Sequence, residues 1–385
     1  MATRIFTPEA AAAAFRLDAL SRALRDAGAR VRVLTSRPPD LDTSRDPEGV
    51  SIRRARTLRD RSGYLKGYLQ YLSFDAPLAA RLLATRPRPD VIVAEPPPTT
   101  GAVVRVASSL LGVPYVYYAA DVWSDASESM GAPRAVVRAL RAVERFALRG
   151  ATRVIAVNQG VAERVRELGA RDIEVVLNGI DISLFNPAGP SSSGGAEPGD
   201  LRDAPYLVYA GTASQWQGAG IFLDAFARVR EEFPDLHLVY LGQGSDMEAI
   251  ARRAEGDPRV HVLGRRPPEE AAAWQARARA ALVSIVPGRG YDFAYPTKVL
   301  AALSCGTPVV YAGTGPVAED VAGAGLGAVA ASFDAGAVAD AVRDVLARPR
   351  EGARLRSWVA AHRSLAVTGR DAAEVVLAVA RRPQS

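Results

Sequence analysis

The chain has 385 residues and a mass of 40.8 kDa, too long for one compact core and about right for two domains. Apolar residues make up 48% and charged residues 23%, a globular balance that excludes disordered, collagen-like and disulfide-scaffold classes. Charge is uneven: residues 1–190 carry 27 Lys+Arg against 20 Asp+Glu, while residues 191–385 carry 21 against 22, so an anionic partner is expected on the N-terminal half. One cysteine, Cys305, and three histidines leave no intramolecular disulfide and no structural zinc cluster. No apolar run is long enough to span a membrane and the opening MATRIFTPEAAAAAFRLD lacks signal-peptide order, so the sequence reads as cytoplasmic.

The opening is unusual. Only Thr3–Phe6 is available for a first strand before the Pro8 turn, which implies either a short strand or a start downstream of the real one. Strand patterns follow at Arg30–Thr35, Val91–Ala94, Tyr115–Ala119, Arg153–Val157 and Ile173–Val176. Between them lie helical spacings over Phe15–Ala27, Gly101–Leu111, Arg134–Arg149 and Val161–Leu168. Asn186–Ala204 is rich in Pro, Gly and Ser and reads as a linker. Beyond it, strands at Tyr206–Tyr209, Leu236–Leu241, Val260–Leu263, Ala281–Ile285 and Pro308–Tyr311 alternate with helices over Ile221–Glu232, Met247–Glu255, Pro268–Ala278 and Thr297–Ser304. Helices Val338–Arg348 and Leu355–Ala380 close the chain. This alternation predicts two doubly wound, parallel-sheet α/β domains with an interdomain cleft: 1–187, a linker over 188–202, 203–350, and a C-terminal helix in 351–385 crossing back to the first domain.

Tyr295–Val310, YPTKVLAALSCGTPVV, is the most informative segment. A Pro turn opens a helix with Thr297 as N-cap and Lys298 in its first turn, where a helix N-terminus and a cation together suit a phosphate. The plain alternative is a solvated lysine. Lys298 and Lys66 are the only lysines among 48 basic residues. Glycine turns at Gly211–Gly218 and Gly313–Gly315 offer backbone amides for phosphates, or are ordinary strand–helix turns.

The chain resembles the retaining GT-B glycosyltransferases of family 4, in particular the bacterial surface-polysaccharide branch. PTKVLAALSCGTPVV resembles the branch's P-S-K-x-x-E-x-x-A-x-G-x-P-V segment, and PEAAAAAFRLDALSRALRDAGARVRVLTSRP its opening loop, helix and strand. DVWSDA at Asp121–Ala126 is similar to D-L-W-P-E/D, and VLNGIDISLFNP at Val176–Pro187 to N-G-V-D-x-x-x-F. YAGTASQWQGAGIFLDAF and LGQGSDMEAI resemble the start of the donor domain. The resemblance implies a Rossmann-like donor domain that binds a nucleotide diphosphate sugar through Gly211, Thr212, Gln217, Gly218, Thr297, Lys298 and Gly315. It implies sugar transfer to a glycan or polyprenyl-linked acceptor, with retention, no metal and no cofactor. The sugar would be hexosyl or N-acetylhexosaminyl. Four positions depart from the family pattern: Ala301 and Phe293 stand where it carries glutamates, and Thr212 and Gln217 where it carries Arg and Lys. These departures motivate the alternatives of a non-catalytic glycan-binding or partner subunit and, less favoured, a nucleotide-sugar epimerase.

On the acceptor side Asp121, after the strand Tyr115–Ala119, is the candidate catalytic carboxylate, followed by Glu95, with Asp125 a candidate contact or local cap. No histidine precedes residue 190, so a base there must be a carboxylate or the donor's own phosphate. Asp40-Leu41-Asp42 is the only Asp-x-Asp and reads as a polar loop, and no dinucleotide or P-loop fingerprint occurs. Finally, Ile52–Phe74 runs Arg53, Arg54, Arg56, Arg59, Arg61 and Lys66 into Tyr64, Tyr68, Tyr71 and Phe74. That suits a peripheral contact with the inner face of an anionic membrane, the alternative being a helix that buries its aromatics. Nucleic acid is not expected, because no recognition helix or stacking sheet organises the cations.

Overall fold

The structure, a computed structural model, describes residues 1–381 except 10, 40, 41, 43, 45, 61–66, 130, 188–200, 202 and 203. The chain forms two compact units, Met1–Asn178 with Leu365–Ser385 (unit 1) and Gly179–Ser364 (unit 2). The expected bounds at 187 and 350 therefore move to Asn178 and Ser364. Most of the expected linker lies outside the described residues; its Leu201 is buried in a core of unit 2.

Unit 1 is a parallel sheet. β1 (Arg32–Ser36) pairs β2 (Ser51–Ala55), and β3 (Ile92–Ala94), β4 (Tyr115–Ala119), β5 (Arg153–Ala156) and β6 (Ile173–Val175) pair in that order. The opening segment joins the two groups, since Ala2 bridges Leu34 of β1 and Ala94 of β3. Pairing thus falls on Met1–Thr3 rather than Thr3–Phe6 and sets the spatial order β2–β1–(1–3)–β3–β4–β5–β6. The connection reverses between residues 1–3 and β3, a topological switch point where ligands gather at carboxyl ends of strands. β4 (YVYYA) is buried throughout, as a strand with both faces covered must be.

Helices α1 (Ala12–Asp26), α2 (Tyr68–Leu83), α3 (Pro98–Leu111), α4 (Trp123–Ser129), α5 (Arg134–Gly150) and α6 (Gln159–Glu167) cover this sheet. Of the basic and aromatic segment Ile52–Phe74, the start lies in β2 and the end in α2, and residues 61–66 are outside the described residues. The expected terminal helix Leu355–Ala380 is two helices: α13 (Gly352–His362), whose Leu355 and Val359 belong to a core of unit 2, and α14 (Leu365–Ala380). α14 completes the unit 1 core with Ala372, Ala373, Val375, Val376 and Val379. The three valines contribute about 1.5–3 kcal/mol each. α14 crosses α1 closely, since a Cβ on Gly369 would lie 2.5 Å from the Ala19 carbonyl oxygen.

Unit 2 has six parallel strands in the order β12–β11–β10–β7–β8–β9, comprising β7 (Tyr206–Thr212), β8 (His237–Gln243), β9 (Val260–Val262), β10 (Ala280–Ser284), β11 (Val309–Ala312) and β12 (Gly327–Val329). Period-2 alternation sends Leu207 and Tyr209 into a core with α7 (Ile221–Val229), α8 (Met247–Ala254) and α12 (Ala335–Ala347). Tyr206 and Val208 enter the opposite core with α9 (Pro268–Arg277), α10 (Thr297–Ser304), α11 (Pro316–Gly323) and α13. Its switch point lies between β7 and β10.

Candidate functional site

At the carboxyl end of β7, Gly211 has φ +136°, and a Cβ there would lie 3.1 Å from Lys298 Cε. Glycine therefore lets the lysine lie across the strand end. Lys298 Nζ donates to the Tyr209 hydroxyl at 2.7 Å and the Thr212 carbonyl at 3.0 Å, and stands 4.1 Å from the Tyr209 ring centroid. Desolvation lowers its pKa to about 7, and no carboxylate pairs with it among the described residues. An ammonium has three donors. Two are spent, so protonation leaves one for a ligand oxygen.

Three expectations change here. Pro296, not Thr297, is the N-cap of α10; Thr297 is exposed in its first turn and caps nothing. The amides of Gln217 and Gly218 both donate to the Ser214 carbonyl, at 2.8 and 3.1 Å, so they are not open to a phosphate. The Gln217 side chain is also 4% exposed and turned inward, its Oε1 accepting from the Ser214 amide and hydroxyl. Ala301 is packed in an apolar core, whereas Phe293 is exposed.

The loop between β10 and α10 lies against the Gly211–Gly218 loop. Val286 donates to the Trp216 carbonyl, the Ser284 hydroxyl to the Gln217 carbonyl, and Trp216 stacks on Tyr291 with centroids 4.6 Å apart. Asp292 accepts from the Gly288 amide and the Thr314 hydroxyl, which holds its carboxyl below the usual range. Gly315, with φ +78°, packs so tightly that a Cβ would lie 2.0 Å from the Asp292 carbonyl oxygen. The sequence did not reveal Tyr209 and Tyr291, because strand alternation and a loop composition carry no signal for a partner far along the chain.

The switch point of unit 1 is filled by buried charges. Glu95 accepts from Arg16 and Thr3, each at 2.8 Å, and Arg4 pairs with Asp75 at 2.6 Å, with Thr99 and Thr100 also donating to Asp75. Desolvation raises the Glu95 pKa against these partners. Arg4, Arg16 and Asp75 were not singled out from the sequence. Glu95, with both oxygens engaged, is a structural member of this network.

One strand over, the segment after β4 is held by Glu144, which accepts from the amides of Trp123 and Ser124 at the start of α4. Asp125 pairs with Arg164 at 2.6 Å and Arg141 at 3.3 Å; against desolvation, these arginines hold its carboxyl below the usual range. It ties α4 to α5 and α6. Asp121 is exposed and, among the described residues, receives only the Val122 amide, at 2.8 Å on Oδ1. Desolvation and, less strongly, Asp125 raise its pKa. Of the carboxylates Glu95, Asp121 and Asp125, it alone has an oxygen open to a ligand.

Residues 12–179 match the glycosyl transferase 4-like domain, and residues 204–348 match the domain described as glycosyl transferases group 1. The solved structure of Anabaena HepE in complex with UDP aligns over 98% of both chains with a TM-score of 0.68 at 20% identity. The fold is GT-B, of the family 4 type. Among curated relatives, the D-inositol 3-phosphate glycosyltransferase of Thermomonospora curvata is 29% identical over 283 residues, 68% of this chain and 65% of that protein. The GDP-mannose-dependent alpha-(1-6)-phosphatidylinositol monomannoside mannosyltransferase of Mycolicibacterium smegmatis is 30% identical over 195 residues, 48% of this chain and 51% of that protein. The chain spans about half to two thirds of the length of these relatives.

The basic segment of this GT-B chain is not the continuous cationic face expected. Arg54 is paired with Asp46 and bonded to the Thr7 carbonyl, and Arg59 is paired with Glu9 and bonded to Ser36. Arg53 and Arg56 are exposed, while Arg61, Lys66 and Tyr64 lie outside the described residues. Phe74 is fully buried and Tyr71 packs edge-on to Trp123 beneath Arg4, so these two aromatics serve the fold. Among the described residues no helix is long and apolar enough to cross a membrane, and no three His, Cys, Asp or Glu side chains gather as metal ligands.

Proposed function

We propose that this chain is a glycosyltransferase that takes a hexosyl or N-acetylhexosaminyl group from a nucleotide diphosphate sugar, with retention and without a metal. The acceptor is a glycan or lipid-linked saccharide of cell-surface polysaccharide synthesis. One observation carries the donor reading: a desolvated lysine at the switch point of unit 2 with no counter-ion among the described residues and an N–H left over when protonated. Breaking the sugar–phosphate bond builds charge on the diphosphate, and a fixed cation at that position stabilises it. Binding of UDP by the HepE neighbour agrees with this.

The acceptor side is assigned to Asp121, whose open oxygen and raised pKa suit it to orient a hydroxyl and share its proton. One relative is named for D-inositol 3-phosphate and the other for phosphatidylinositol monomannoside, so both compounds belong in the acceptor panel. The test is thermal shift with UDP-, GDP- and dTDP-sugars, followed by product detection with acceptors and assignment of the anomeric linkage by NMR. If no nucleotide sugar stabilises the chain or is consumed, the reading is wrong. The second reading, a non-catalytic subunit, rests on the inward Gln217 and the apolar packing of Ala301; donor binding without any turnover would favour it.

A further inference from the structure

Three helices of unit 1 stand side by side, α2 against α3 and α3 against α5. The solvent face of α2 is apolar: Leu69, Leu72, Ala76 and Ala80 are all exposed, at helical spacing. α3 exposes Val106 and Leu110, the latter 70% accessible, and α5 exposes Phe146. Of the nine large apolar side chains exposed among the described residues, five lie on these three helices, which marks this layer out from the rest of the surface.

α5 adds charge of one sign. Arg134, Arg138, Arg141, Arg145 and Arg149 recur every three or four residues, and Arg105 of α3 lies 4.1 Å over the Phe146 ring. Arg141 is paired with Asp125 and Glu128. Arg134, Arg138, Arg145 and Arg149 have no carboxylate partner among the described residues. The one acid of α5, Glu144, is buried and bonded to the start of α4.

We propose that this three-helix layer docks the chain on an anionic lipid bilayer, its leucines, valine and phenylalanine entering the headgroup boundary and the α5 arginines meeting lipid phosphates. Exposed aliphatics gain nothing from nucleic acid but gain from a bilayer interface. A symmetric pairing of two copies through α5 would set the arginine stripe against itself. An anionic membrane satisfies both the apolar and the cationic parts of the surface.

The test is co-sedimentation of the full chain with vesicles of phosphatidylcholine alone and of phosphatidylcholine mixed with phosphatidylglycerol. It reads binding rather than sugar transfer, so its failure leaves the donor reading untouched. Binding is expected to the anionic vesicles and to weaken from about 0.1 M to about 1 M salt, as the Debye length falls from about 10 Å to about 3 Å. Each basic residue at an anionic surface changes partitioning about fivefold, so the double variant Arg138→Gln/Arg145→Gln should bind on the order of twenty-five-fold more weakly. Leu110→Ser should lower the binding that survives high salt. The variant Arg53→Gln/Arg56→Gln removes the same charge from exposed positions outside the three helices and should bind nearly as wild type. Thermal melts confirm that these surface variants remain folded. No binding to anionic vesicles at low salt, or equal losses in both double variants, overturns the proposal. So does a wild-type oligomer that Leu69→Ser or Leu110→Ser converts to monomer, because the layer would then be a protein interface.

Discussion

Replacing Lys298 by methionine should stabilise the protein at neutral pH while removing its response to nucleotide sugars. Desolvation lowers the lysine from 10.5 to about 7 in the fold. Because the unfolded chain holds the proton more tightly, the cost to stability is complete below about pH 7 and is relieved as pH rises toward 10.5. At about 1.4 kcal/mol per unit, and allowing for partial exposure, that cost is about 2–4 kcal/mol. Methionine keeps the apolar stem and forfeits the bonds to Tyr209 and Thr212, each about 1 kcal/mol. The net is a gain of about 0–2 kcal/mol at pH 7, or up to roughly 4–8 °C in the melting of unit 2. Near pH 10 the gain disappears and the lost hydrogen bonds leave the variant less stable than wild type. Calorimetry at both pH values, with and without UDP-sugar, reads the crossover. In wild type the bound diphosphate demands the ammonium, so its Kd should rise about tenfold per pH unit above about 7, and this slope should be absent in the variant. A variant equally destabilised at pH 7 and pH 10, with wild-type donor binding, would refute the reasoning.

The buried charges of unit 1 should behave as a unit: Arg16→Met leaves Glu95 uncompensated and should cost about 3–5 kcal/mol in urea unfolding, most of it recovered by adding Glu95→Gln. Gly369→Val pushes a side chain toward the Ala19 carbonyl and should lower the stability of unit 1 by about 1–3 kcal/mol, leaving the unit 2 transition in place. The Cys305 thiol is fully buried and pushed up to about 12 by desolvation, so at pH 8 a thiol reagent should modify it only at the rate of unfolding.

The fold was legible because parallel strands with both faces covered read as short apolar runs, and YVYYA or AALVS between amphipathic helices admits few other placements. The opening strand was misplaced because three residues, Met1–Thr3, carry no period; only their pairing with β1 and β3 identifies them. Lys298 stood out as one of two lysines, but its partner Tyr209 lies 89 residues away in a strand whose pattern announces only a core. The same blindness to distant partners made Arg59 and Asp125 look available, and Arg54 is taken by Asp46 only eight residues away. Each is neutralised by an ion pair that depends on the tertiary fold. Gln217 and Gly218 failed for a local reason: their turn closes on Ser214, and a glycine-rich sequence does not say which amides a turn consumes.

Charge balance distinguishes the two switch points more sharply than motif matching does. In unit 1, Arg4 pairs with Asp75 at 2.6 Å and Arg16 with Glu95 at 2.8 Å, all four groups being buried, so an arriving anion would have to displace a carboxylate and strand it. In unit 2 the switch point holds one lysine with no carboxylate partner among the described residues, so an arriving diphosphate would supply the missing counter-charge. That asymmetry supports the proposed placement of the donor phosphates on unit 2 without reference to the residues by which this chain departs from its relatives. The acceptor role proposed for unit 1 is consistent with this, since an open carboxylate such as Asp121 would repel a diphosphate and can accept from a hydroxyl. The proposed division of labour therefore rests on the sign of the group each unit leaves open: a cation, Lys298, in unit 2 and a carboxylate, Asp121, in unit 1.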